Sequence, residues 1–163
     1  MQEIGRLFAA NQRYASTRQP APASPHPSRR LAIVTCMDVR IDPLAVFGLQ
    51  LGEAHVIRNA GGRVTDDVLR SLAVSAHVLG VRTVVTMQHT RCGMAGTTDA
   101  ELREATGAGL DFLAIGDHRQ ALESDMELLA LTGYLAPITT AVGLLYDVDA
   151  GSVQEIARWQ RSN

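Results

Sequence analysis

Residues 31–40 read LAIVTCMDVR. The first six are a short apolar, β-branched run, the pattern of a buried strand. At its end stand the thiol of Cys36 and then Asp38 and Arg40. Asp38 and Arg40 are two apart, so on an extended segment their side chains face the same way. A second cluster, HTRC at 89–92, follows another run rich in Val and Thr at 82–88. Cys36, Cys92, His89 and Asp38 together offer two thiols, an imidazole and a carboxylate, a full tetrahedral zinc set. Each half of that set lies where a strand ends, the part of an α/β domain where ligands bind.

The elements around these runs follow from the same rules. Residues 43–51 predict a helix, with Pro43 in its first turn and Gly52 after its end. Residues 54–58 predict a second strand, followed by a turn at 59–62 whose two glycines permit positive φ or close backbone approach. The next helix has the clearest boundaries. Thr65 caps it, Asp66 and Asp67 suit its positive end, and Gly80 closes it. Val64 is placed to staple onto Leu69, and Val68, Leu69, Leu72, Ala73 and Ala76 form its buried face. A weak helix is expected at 99–106, another from Asp117 to Leu131, a long strand at 138–148, and a strand pairing back at 152–157. Strands alternating with helices predict an α/β fold with a mostly parallel sheet and right-handed crossovers. The order 2-1-3-4, with an antiparallel edge strand and flanking helices, makes strands one and three neighbours. That order brings Cys36 beside His89 and Cys92 without further assumptions.

Upstream, residues 2–15 predict an amphipathic helix with Ile4, Leu7, Phe8 and Tyr14 on one stripe. Pro20, Pro22, Pro25 and Pro27 then break any helix. The expected organisation is therefore a helical arm and proline-rich linker at 1–30 and a single zinc-binding α/β domain at 31–163. The arm's stripe must be buried, on its own core or on a partner subunit. The chain has 163 residues, is 46% hydrophobic and 20% charged, and carries a net charge of −2. That is ordinary globular composition. It implies no general attraction to nucleic acid or membrane, and no apolar run approaches the roughly 20 residues that span a bilayer. No charged-then-apolar leader pattern opens the chain, so the expected compartment is the cytoplasm.

Zinc suits the donor set better than magnesium or calcium, which prefer oxygen ligands. With three ligands from Cys36, His89 and Cys92, either Asp38 or water takes the fourth position. A guanidinium holds a carboxylate in a bidentate pair, so Arg40 can keep Asp38 off the metal. Asp38 bound to the metal would block the site. Alternative readings of single residues are weaker. A phosphatase reading of Cys36 needs an arginine where Asp42 stands, and Gly61-Gly62 is not a dinucleotide fingerprint. Met37 and Met94 read as packing residues, Arg91 as solvent-facing or anion-attracting, and His55, His77 and His118 as surface or structural.

The motifs CMDVR at 36–40, RNAGG at 58–62 and HTRCG at 89–93 resemble those of the β-class carbonic anhydrases, in particular small bacterial members. The resemblance implies a zinc-dependent lyase that hydrates carbon dioxide reversibly to bicarbonate by zinc-hydroxide attack. It assigns Cys36, His89 and Cys92 to the metal, Asp38 and Arg40 to a catalytic dyad, and Asp38 to the metal only in a closed state. Backbone around Gly61 and Gly62 would line the substrate cleft. A homodimer or homotetramer built through the N-terminal arm is implied as well. The tryptophan that some members use for a second bicarbonate pocket is replaced by Ile33, although Arg58 is present. Carbon disulfide and carbonyl sulfide hydrolases resemble the same family and share its ligands. A zinc-stabilised binding protein, closed by Asp38, is the remaining alternative.

Overall fold

The computed structural model describes residues 2–20 and 24–161. A five-stranded sheet organises the body, with β1 (Leu31–Cys36), β2 (Ala54–Asn59), β3 (Thr83–His89), β4 (Thr140–Tyr146) and β5 (Val153–Gln160). The strand order is β2-β1-β3-β4-β5. The first three pairings are parallel and β4 pairs antiparallel with β5. The expected α/β sheet with an antiparallel edge is therefore present. β1 aligns Leu31 with Ala54 on one side and with Thr83 on the other. Cys36 and His89 thus emerge at the same carboxyl edge of adjacent strands.

Side-chain alternation along the strands feeds two buried clusters. One gathers Ala32, Val34, Val84 and Ala141 with Val64, Val68, Leu69 and Leu72. The last three belong to α3 (Asp66–His77), where the side chain of Thr65 accepts a hydrogen bond from the Val68 N–H as expected of a cap. The other cluster gathers Cys36, Met87, Cys92, Ile115, Val142 and Leu144. The thiols of Cys36 and Cys92 therefore belong to one apolar layer.

The helix expected at 43–51 is much shorter. α2 covers Pro43–Val46 only. The Asp42 carboxylate caps it by accepting from the N–H groups of Leu44 and Ala45. Gly48, four residues before Gly52, then turns left-handed at φ 63° and stops the helix early. α4 (Asp99–Thr106) is short but held by a reciprocal capping box between Thr98 and Glu101. α5 (His118–Leu131) is capped by Asp117. β4 is trimmed at both ends relative to the expected 138–148. β5 runs further than 152–157, carrying Trp159 onto the first cluster.

α1 (Gln2–Thr17) forms as expected, but none of its residues is buried. Ile4, Leu7, Phe8 and Tyr14 are each more than half exposed, Phe8 at 69%. Pro22 of the expected linker lies outside the described residues. No described helix is long and apolar enough to cross a membrane.

Candidate metal centre

Cys36 is the last residue of β1, His89 the last of β3, and Cys92 follows three residues on. Their ligand atoms all lie within 4.8 Å of one another, and all three residues are buried. The two sulfurs are 3.9 Å apart. Two sulfurs each about 2.3 Å from a tetrahedral ion would be about 3.8 Å apart, so the spacing fits. His89 is fully buried, and its Nδ1 faces the carbonyl of Thr90 at 2.9 Å. The Nδ1–H therefore donates to that carbonyl, which leaves the Nε2 lone pair pointing inward. That Nε2 is buried and has no hydrogen-bond partner among the described residues. A buried acceptor without a partner is costly, and a metal ion is the group that would satisfy it. Without metal, the hydrogen bond between the two thiols splits their acidities, pulling Cys36 down and pushing Cys92 up.

Beside this group the Asp38 carboxylate is clamped by Arg40. Arg40 Nε donates to Asp38 Oδ1 at 2.8 Å and Nη2 donates to Oδ2 at 2.6 Å. The Arg40 backbone N–H adds a third bond to Oδ1, at 2.9 Å. The Arg40 bonds, side chain first, hold the carboxyl well below the usual carboxylate range. Asp38 Oδ2 is 3.7 Å from His89 Nε2, so the clamped carboxylate reaches the point where the three ligands converge. Arg40 is itself tied down, since its Nη2 also donates to the Arg91 carbonyl at 3.1 Å.

A cavity of about 240 Å³ opens on the group, bounded among others by both cysteines, Met37, Asp38, Gly61 and Met94. Gly61 lies on its wall. Gly62 is not among its lining residues and sits behind the site, because a Cβ there would be 2.9 Å from both the Cys36 nitrogen and the Met87 carbonyl oxygen. With φ at 66° as well, only glycine fits between the ends of β1 and β3. A Gly62→Ala variant is expected to lose about 2–4 kcal/mol of stability through overpacking and left-handed strain. Thermal unfolding of the zinc-loaded protein measures it, and an unchanged midpoint would contradict the close approach.

Met37 departs from expectation. It is exposed at the cavity mouth instead of packing, because its N–H continues the β2 pairing through the Asn59 carbonyl and leaves the side chain outside the sheet. Met94 does pack, against the second cluster, and also lines the cavity. Arg91 adopts φ 54° and forms an ion pair with Asp149 of the β4–β5 hairpin, so its charge is matched rather than offered to an anion. His55 binds Ser75 and the Pro25 carbonyl, His77 the Tyr134 carbonyl, and His118 the Gln88 amide. None of the three belongs to the group able to hold a metal ion. Arg58 has a positional role that the sequence did not reveal. It donates from Nε to the Cys36 carbonyl at 3.0 Å and from Nη2 to the Asp38 carbonyl at 2.6 Å. Its place in the RNAGG motif was the available signal.

A mostly parallel α/β sheet with a buried Cys-His-Cys group and an arginine-clamped carboxylate at its carboxyl edge is the arrangement of a protein able to hold a metal through thiolates and an imidazole. The carbonic anhydrase family profile matches residues 31–127. The chain is 39% identical over 159 residues to Beta-carbonic anhydrase 1 of Mycobacterium tuberculosis, covering 91% of this chain and 94% of that protein. The solved carbonic anhydrase of Streptococcus mutans superimposes with a TM-score of 0.86 at 38% identity, covering 96% of this chain and 99% of that one. A carbon disulfide hydrolase of Acidithiobacillus thiooxidans is 31% identical, over 95% of this chain and 74% of that protein. This chain belongs to the β-carbonic anhydrase family. The family is zinc-dependent, and Cys36, His89 and Cys92 are a group able to hold a metal ion.

Proposed function

We propose that this chain is a zinc-dependent lyase that hydrates carbon dioxide reversibly to bicarbonate and a proton. Cys36, His89 and Cys92 are its metal ligands, and Asp38 and Arg40 are its catalytic dyad. The observation that carries the reading is the convergence of two sulfurs and an unpartnered imidazole nitrogen beside a clamped carboxylate in a small cleft. Zinc, when bound there, supplies a Lewis acid that lowers the pKa of water to about 7.

The chain's own residues supply the rest. Asp38 stays ionised across the working pH range, so it accepts hydrogen bonds and donates none. Its Oδ2 faces the ligand group and fixes a proton of the attacking water, aiming the lone pair at the carbon of CO₂. Arg40 holds that carboxylate in its clamp, and release of the clamp would leave Asp38 free to serve as a fourth ligand to a bound ion, the closed state. Gly61 contributes backbone without a side chain, which keeps the cleft open to a small apolar substrate.

The similarity to a carbon disulfide hydrolase supports a second reading, hydrolysis of CS₂ or COS at the same site. The clamp on Asp38 argues against a permanently closed binding protein, which has no use for a residue that restrains its fourth ligand. Stopped-flow CO₂ hydration by the zinc-loaded protein, run beside sulfide release from CS₂, separates the three. Asp38→Ala is expected to lower kcat/KM for CO₂ about a hundredfold with zinc retained. An Asp38→Ala enzyme with full activity would remove the dyad from the reaction.

We also assign residues 1–30 to an assembly arm and 31–163 to the catalytic domain. A helix of this length is marginal alone in water, and the exposed Ile4, Leu7 and Phe8 require cover. A homodimer or homotetramer formed through α1 provides it. Ile4→Glu combined with Phe8→Glu is expected to shift the mass measured by light scattering to a smaller species. An unchanged mass would move the interface elsewhere. We assign the reaction to the cytoplasm, whose reducing conditions would keep the two facing thiols free.

A further inference from the structure

We propose that Met94 sets the length of substrate the cleft accepts, and that it holds the site to CO₂ against the longer CS₂. The inference rests on the hydration chemistry proposed above and adds its discrimination. Relatives of this chain bear the names of both activities, so the ligand set alone does not choose between the substrates. Both are linear, apolar molecules with a central electrophilic carbon, and they differ chiefly in the length and polarisability of their double bonds. The choice therefore falls to the cavity wall.

Of that wall, Ala60 and Gly93 contribute a methyl group or no side chain, and Met94 is the one long side chain left to set its depth. Cys36, Cys92 and Asp38 are committed to the metal and the dyad, and Met37 stands exposed at the mouth. Gly61 has φ 77°, and a Cβ added there would lie 3.2 Å from Ile115 Cδ1 and 3.3 Å from Met94 Cβ and Cγ. Its side of the cleft therefore cannot grow a side chain, and Met94 already fills the space in front of it. The Met94 backbone is fixed, since its carbonyl accepts the Ile115 N–H at 2.8 Å. Its side chain is unbranched and adaptable, so truncation deepens the cleft without moving the ligands.

The test measures kcat/KM for CO₂ hydration and for CS₂ + 2 H₂O → CO₂ + 2 H₂S on zinc-loaded wild type, Met94→Ala, Met94→Val and Met94→Leu. Zinc content and melting temperature are recorded for each. Met94→Ala is expected to raise the CS₂-to-CO₂ ratio about tenfold, the discrimination that one or a few methylene-sized groups provide. Met94→Leu, near in volume, should stay within about twofold, with Met94→Val between them. Calorimetric binding of cyanate and thiocyanate, linear anions of two lengths, gives a readout independent of turnover. The preference should move toward thiocyanate in the same order. Parallel loss of both activities, or ratios and anion preferences that do not change while zinc is retained, overturns the proposal. A wild type that hydrates no CO₂ would defeat the function proposed above, and the anion series would still decide the role of Met94. If Met94→Ala fails to hold zinc, the comparison of Met94→Val with Met94→Leu decides it.

Discussion

Cys92→Ser is expected to abolish zinc binding at stoichiometric protein and with it CO₂ hydration. A serine hydroxyl is a poor substitute for a thiolate, because it does not ionise near neutral pH and is a hard donor where a soft one is needed. The remaining ligands do not compensate. Cys36 and His89 are two donors, and Asp38 is engaged by three hydrogen bonds from Arg40. His89 Nε2, already without a partner, would then be stranded in a buried layer. Outer partners of metal ligands are worth about 10–100-fold in affinity or activity, so loss of a ligand itself should exceed a hundredfold. Zinc per protomer by atomic absorption and stopped-flow hydration measure the effect, and Cys36→Ser should match it. Zinc retention in the wild type should also fall on acidification, because both thiols must lose protons to bind. A Cys92→Ser protein that keeps one tightly held zinc and most of its activity would break the ligand assignment.

Much of this was legible in the sequence for a physical reason. The two thiols, the imidazole and the Asp38–Arg40 pair sit in short local motifs, and each motif follows a β-branched run that makes a strand. Once the strand order places β1 beside β3, convergence of the motifs follows from chain topology. The helix cap at Thr65 was readable because capping is local. What escaped depends on groups distant in sequence. Nothing in residues 43–51 shows that the helix stops at Val46, before Gly48, and does not run on to Gly52. Gly61 and Gly62 look alike in the sequence, yet one borders the cleft and the other is wedged between strand ends. The roles of Arg58 and of the Arg91–Asp149 pair depend on partners 20 to 58 residues away.

The local glycine chemistry and the long-range contacts meet at Arg63, the residue after Gly62. Arg63 is 7% exposed and Asp125 2%, and no spacing rule links positions 62 residues apart. Arg63 Nε and Nη2 donate to the two Asp125 oxygens at 2.9 and 3.1 Å, while Nη1 donates to the Leu113 carbonyl at 2.8 Å. The pair therefore ties the start of α3 to α5 and to the loop that carries Ile115 behind the cleft. Burial pushes the Asp125 carboxyl up, and the Arg63 bonds pull against that.

Asp125→Ala is expected to cost about 3–5 kcal/mol, because it leaves a buried guanidinium with one carbonyl in place of a carboxylate. For a chain of this size each kcal/mol lowers the melting temperature by about 2–4 °C, so a fall of roughly 6–20 °C should appear in calorimetry of the zinc-loaded protein. The double variant Arg63→Met with Asp125→Leu tests the cause. It removes both charges and refills the space with apolar groups, so most of the lost stability should return, as it does when buried ion pairs are exchanged for hydrophobic packing. Equal losses in the single and double variants would mean that packing at Asp125, and not an uncompensated charge, holds this end of the sheet together.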